Sequence, residues 1–244
     1  MLATPIDPAW TAWIETRCRP FRHLAADLQT RLVNDVRVFI AERHWEGCNG
    51  LTVTDEMRIT IAVQACLMGL GFPVMPFDRL LSVLIYPDTF VSKAVHRQPW
   101  GVVQENDEPR LGEAWYQGPI VLSWREVQEQ TTAAQPARNV VIHEFSHLLD
   151  MENHDVDGIP DLDHTHSPNW VAIFNEVYER LVRQARLGRI SVLDDYGATS
   201  KIEFFAVSSE AFFEQPRRLL AEFPSLYGIL KEYYRQDPAG WGGE

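Results

Sequence analysis

His143-Glu144-Phe145-Ser146-His147 sets two imidazoles four residues apart, with a glutamate beside the first. On a helix, positions i and i+4 point the same way, so both rings can reach one metal ion. The adjacent carboxylate can then act as a base on a water bound to that ion. This H-E-x-x-H arrangement is that of a zinc hydrolase site. The neighbouring residues suit a helix. At about 100° per residue, His143 and His147 lie about 40° apart, while Val141, Phe145, Leu148 and Leu149 fall on the other side. Gln135-Pro136 offers a helix start, because proline suits the first turn.

A catalytic zinc takes three protein ligands and a water. The longer H-E-x-x-H-x-x-G-x-x-H pattern fails here, since Asp150 and Asn153 occupy its last two required positions, and His154 is one residue off. Glu203 is the stronger candidate. It lies in Lys201 to Phe213, a segment so apolar that it reads as a buried helix. A buried carboxylate is costly unless it is paired or bound to a cation, and a zinc ion would remove that cost. Glu210 lies seven residues on, on the same face, where it can hold a ligand histidine from behind. A salt bridge to an arginine is the competing role for both glutamates. Asp150, Asp161, Asp163, His164 and His166 are further candidate ligands, but they sit in or beside a polar loop that needs no metal to be stable. Tyr196, seven residues before Glu203, can donate a hydrogen bond to an oxyanion if it lies near the ion; a packed surface tyrosine is the alternative.

These residues need a scaffold. Leu24, Leu28, Leu32, Val36, Phe39 and Ile40 follow helical spacing, which predicts an amphipathic helix over about 20–43. Thr54-Asp55-Glu56 signals the start of a second, buried helix that runs to Gly69-Leu70-Gly71. Leu80 to Tyr86 reads as a buried strand, and Trp115 to Trp124 as another. Gly118-Pro119 puts the latter at a sheet edge, where an extended peptide could pair. Polar loops are expected at 104–112 and 151–166. Ser167-Pro168 starts a helix with the stripe Trp170, Ile173, Phe174, Val177, Tyr178 and Leu181, and two more helices follow at about 200–214 and 218–236. Strands before the motif and helices after it make an α+β chain. The expected organisation is one domain over 1–244, with an N-terminal helical part to about 75 and a catalytic core over about 80–238.

The chain has 244 residues, 45% of them hydrophobic, and a formal net charge of -12. That charge argues against a nucleic-acid surface. The 3 cysteines include no C-x-x-C pair, which fits a reducing compartment. No basic start followed by an apolar run opens the chain, and Ile59 to Leu70 is too short to span a bilayer. The expectation is a cytoplasmic protein.

The motif with Leu148-Leu149-Asp150-Met151, then Tyr196 and Glu203-Phe204-Phe205-Ala206-Val207, resembles the Mlc titration factor A family of bacterial zinc peptidases, the DgsA anti-repressors. The likeness extends to Val83 to Pro87, Gln117 to Trp124 and Phe223 to Leu226, and covers about residues 20 to 238. It implies a zincin-like, gluzincin-type fold related to the catalytic part of anthrax lethal factor, with a small mixed sheet packed on the H-E-x-x-H helix. It implies one zinc on His143, His147 and Glu203, Glu144 as general base, and Tyr196 as a transition-state residue. It further implies aminopeptidase-type activity on small peptides and, by analogy with enteric members, binding of a sugar-responsive transcriptional repressor. The loop from Glu152 to Pro168, with His154, His164 and His166, departs from the enteric pattern, as do the termini.

Overall fold

The Thr54 hydroxyl accepts from the Met57 amide at 3.3 Å and so caps the helix that organises the N-terminal half. In the computed structural model, residues 7–88, 118–132, 138–153, 156–162, 166 and 168–242 are described. The chain divides into two compact units, Met1–Ala133 with Gly243–Glu244, and Ala134–Gly242. Among the described residues, no helix is long and apolar enough to cross a membrane.

The first unit runs α1 (Pro8–Arg17), α2 (Ala26–Glu42), β1 (His44–Gly47), α3 (Asp55–Gly69), β2 (Ser82–Tyr86), β3 (Ile120–Ser123) and α4 (Trp124–Thr132). Residues 59–69 of α3 are all buried, as its apolar surface on most sides requires, and the helix lies against α1 and α2. The strands form one sheet in the order β1-β2-β3. Both pairings are parallel, with His44 opposite Ser82 and Val83 opposite Ile120. The expected mixed sheet is therefore parallel throughout in its described part. Parallel neighbours need a long crossover, and α3 lies in the one between β1 and β2. Strand β1 escapes sequence reading because His44-Trp45-Glu46-Gly47 has no apolar run. Among the described residues, strand β3 is an edge of this sheet, as Gly118-Pro119 suggests, but it stops at Ser123, whose hydroxyl accepts from the Glu126 amide at 3.3 Å near the start of α4. Residues 115–117 of the expected strand and the loop at 104–112 lie outside the described residues.

The second unit contains α5 (Val140–Asp150), α6 (Trp170–Arg186), α7 (Lys201–Glu214), α8 (Pro216–Glu222) and α9 (Pro224–Tyr234). Helix α6 buries Trp170, Phe174, Val177 and Leu181 at helical spacing. The single helix expected over 218–236 is two, because Pro224 lacks an N–H and takes the first position of α9. Helix α7 is buried from Glu203 to Phe213 and lies against α5, α9 and the short 3-10 turn Asp195–Ala198. Its Phe204 ring meets Phe174 edge-on at 4.8 Å, and its Phe212 stacks on Tyr234 at 5.4 Å. A polar pair inside this core joins α9 to α7: the Tyr234 hydroxyl donates to Ser209 Oγ at 2.7 Å. The H-E-x-x-H helix thus belongs to the second unit, and the sheet to the first.

Candidate metal centre

Helix α5 begins at Val140, later than Gln135-Pro136 suggests. Asn139 is its cap, with Oδ1 accepting from the Ile142 amide at 3.1 Å. An asparagine directly before Val140-Val141-Ile142 is the stronger start signal in the sequence. Asn139 also ties α5 to α7. Its amide donates to Glu210 Oε2 at 2.5 Å, and its Nδ2 donates to Glu214 Oε1 at 2.6 Å. Helix α7 is fixed in turn at its own start, where Ser200 Oγ accepts from the Glu203 amide at 3.2 Å.

This bracing brings the motif residues together. Glu210 Oε1 lies 2.7 Å from His143 Nδ1, so one carboxylate holds both the cap of α5 and its first histidine. An ionised carboxylate only accepts, which puts the Nδ1 proton toward Glu210 and leaves Nε2 facing the other way. There, His143 Nε2 is 3.0 Å and His147 Nε2 is 3.8 Å from Glu203 Oε2. One ligand atom from each of the three residues lies within 4.8 Å of the others. Atoms bound tetrahedrally at zinc distances stand about 3.3 Å apart, so the trio is sized for one small cation.

The donor set also calls for a cation. Glu203 is 1% exposed, and its carboxylate faces the imidazoles of His143 and His147. A bare anion there would be costly. Burial lowers the pKa of His143, but the carboxylates of Glu203 and Glu210 outweigh it and raise the value to about 10. Burial, and then the neighbouring His143 charge, lowers His147 to about 3. The cluster therefore stabilises one positive charge between His143 Nε2 and Glu203, and either a proton or a metal ion can supply it.

Glu144 is half-buried on the same helix, and its charge contributes to the His143 shift. The Tyr196 ring sits 6.0 Å from the His143 ring, on the turn Asp195–Ala198, and is 44% exposed. Asp194 Oδ1 accepts from the Tyr196 amide at 2.9 Å and so shapes that turn. Among the described residues, no other His, Cys, Asp or Glu joins the cluster. Asp150 is instead fully buried at the end of α5. Burial pushes its carboxyl up to about 7, against the opposing Gly158 amide. The His166 ring lies 5.8 Å from that of Tyr233. Asp161 stands outside the cluster, and His154, Asp163 and His164 lie outside the described residues. Asn139, Asp194 and Arg138 were not singled out from sequence as site residues.

The geometry defines an α+β protein with a two-histidine, one-glutamate site built to hold a cation beside a further glutamate. The profile of the family described as glucose-regulated metallo-peptidase M90 matches residues 1–235, and the chain belongs to this family. An uncharacterized protein of Synechocystis sp. is 34% identical over 236 residues, covering 96% of this chain and 86% of the relative. Mlc titration factor A of Escherichia fergusonii is 32% identical over 230 residues, covering 93% and 86%. Mlc titration factor A of Salmonella gallinarum is 31% identical over 220 residues, covering 89% and 82%. Membership in a metallopeptidase family implies a metal ion, and the group His143, His147 and Glu203 could hold one.

Proposed function

We propose that the chain is a zinc-dependent peptidase of aminopeptidase type, acting in the cytoplasm, with His143, His147 and Glu203 as the metal ligands. The observation that carries this reading is the convergence of the His143 and His147 imidazoles on the buried carboxylate of Glu203. Two imidazoles and one carboxylate suit zinc better than calcium or magnesium, which prefer all-oxygen shells. When bound, zinc supplies a lowered water pKa, towards roughly 7, and polarisation of the scissile carbonyl.

The chain's own residues do the rest. Glu210 fixes the His143 tautomer so that Nε2 offers its lone pair. Glu144 takes the proton of the attacking water and returns it to the leaving amine, so the peptide C–N bond breaks with protons balanced. The Tyr196 phenol donates to the oxygen that gains charge as the carbonyl is attacked. A zincin-like relation of the whole fold and a single catalytic domain over 1–244 belong to the same proposal.

The test is zinc per chain in wild type, Glu203→Ala and Glu144→Gln, with peptide turnover alongside. One zinc in wild type and in Glu144→Gln, less in Glu203→Ala, and a loss of about 10²–10⁴ in kcat for Glu144→Gln are expected. Full turnover by Glu144→Gln would refute the mechanism. A second reading is favoured by the name of the relatives, Mlc titration factor A: the protein binds a transcriptional repressor, and catalysis is secondary. Capture of that repressor by Glu144→Gln, with no peptide turnover by wild type, would select it.

A further inference from the structure

Arg138 immediately precedes the cap of α5, and its guanidinium reaches the turn that carries Tyr196. Its Nε donates to Asp194 Oδ2 at 2.9 Å, and a terminal guanidinium nitrogen lies 2.8 Å from the same oxygen. The other carboxylate oxygen, Oδ1, accepts from the Tyr196 amide at 2.9 Å. The Asp194 carbonyl accepts from the Gly197 amide at 3.0 Å. The Tyr196 carbonyl is fixed as well, accepting from the Thr199 amide at 3.1 Å and the Thr199 hydroxyl at 2.7 Å. Gly197 seats the turn on its neighbours: a Cβ added there would lie 3.2 Å from Leu181 on α6 and from Val207 on α7. Two sides of the turn are thus held by α6 and α7, and the side toward α5 is held by Arg138.

We infer that the Arg138–Asp194 pair is a positioning device that sets the Tyr196 phenol relative to the metal helix. The inference rests on the oxyanion role given to Tyr196 above. An exposed salt bridge alone does little. Here the Asp194 side chain is only 27% exposed, and it is bound to Arg138 on one oxygen and to the Tyr196 amide on the other. Tyr196 is itself nearly half exposed, so burial alone does not aim its ring and the backbone turn contributes to its placement. A small misplacement of such a group is enough to cost rate.

A merely stabilising pair would lower the melting temperature and leave kcat of the folded enzyme unchanged. The experiment compares zinc-loaded wild type, Arg138→Ala, Arg138→Lys, Tyr196→Phe and Arg138→Ala/Tyr196→Phe on alanine para-nitroanilide. Amide hydrogen exchange over residues 194–199 is measured on the zinc-stripped proteins. Arg138→Ala should lower kcat about tenfold with KM unchanged, and Arg138→Lys should fall between, because an ammonium cannot fork. In the Tyr196→Phe background, removal of Arg138 should change kcat less than about twofold. The 194–199 amides should exchange about tenfold faster in Arg138→Ala. Unchanged exchange overturns the inference whatever the activity, as does an equal loss of kcat in both backgrounds. If Tyr196→Phe is slow and Arg138→Ala is not, the positioning role alone fails. If Tyr196→Phe keeps wild-type kcat, the oxyanion role fails and the inference falls with it.

Discussion

Glu210→Gln tests whether one carboxylate serves both the helix cap and the metal ligand. Glu210 is 5% exposed, with Oε1 at 2.7 Å from His143 Nδ1 and Oε2 at 2.5 Å from the Asn139 amide. Both partners are donors when His143 presents Nε2 to a metal. A glutamine offers one acceptor and one donor. If its carbonyl faces Nδ1, its amide group opposes the Asn139 N–H, leaving a buried donor unsatisfied at a cost of about 1–3 kcal/mol. If its amide group faces Nδ1, that nitrogen must accept, and the proton moves to Nε2, the atom that should bind metal. Either orientation also removes the charge that makes the imidazole a better ligand. The expected loss of zinc affinity is about 10–100-fold, or about 1.4–2.7 kcal/mol. Competition against a chromogenic chelator measures the affinity, and denaturant unfolding of zinc-stripped protein measures the stability term. Zinc affinity within about twofold of wild type, with stability lowered, would show that Glu210 only braces the cap of α5.

Two further predictions concern the metal-stripped protein and the loop after α5. His143, raised to about 10 from 6.5, contributes stability that is full below pH 6.5 and lost as pH rises through 10. Chelator-treated protein should therefore lose stability over that window, Glu203→Gln should flatten the loss, and an equally steep wild-type and variant profile in denaturant melts would refute the assignment. His147, lowered to about 3, works in the opposite sense below pH 6.5, while Asp150, raised to about 7, loses its contribution as pH climbs to that value, so the acid side should be flatter. Gly158→Ala should destabilise by at least about 2 kcal/mol and weaken zinc binding. Gly158 has φ +83, and an added Cβ would stand 2.3 Å from the Lys201 carbonyl oxygen at the start of α7, the helix that carries Glu203. A thermal midpoint within about 1 °C of wild type would refute that.

The grouping of His143, His147 and Glu203 was more legible in the sequence than the scaffold, and the reason is physical. His143, Glu144 and His147 are local in sequence, so helix periodicity alone places them on one side. Glu203 is distant, yet a carboxylate directly before Phe204-Phe205-Ala206-Val207 is a conflict of polarity that a metal ion or an arginine would resolve, and it is readable as such. The sheet direction carried no such conflict. Parallel pairing of β1, β2 and β3 is decided by the crossovers between strands, and His44-Trp45-Glu46-Gly47 has too little apolar character to announce itself as a strand. The same distinction explains why Arg138, Asn139 and Asp194 passed unnoticed. Each is an ordinary polar residue at a loop or helix boundary, where nothing local marks it. Their importance lies in the contacts Arg138–Asp194, Asn139–Glu210 and Asn139–Glu214, all long-range in sequence. These contacts hold the metal helix against α7 and the Tyr196 turn. Under the proposed function they also separate a site that could bind an ion from one that could use it: the three candidate ligands come from two helices, but the aim of His143 and Tyr196 depends on the residues between them.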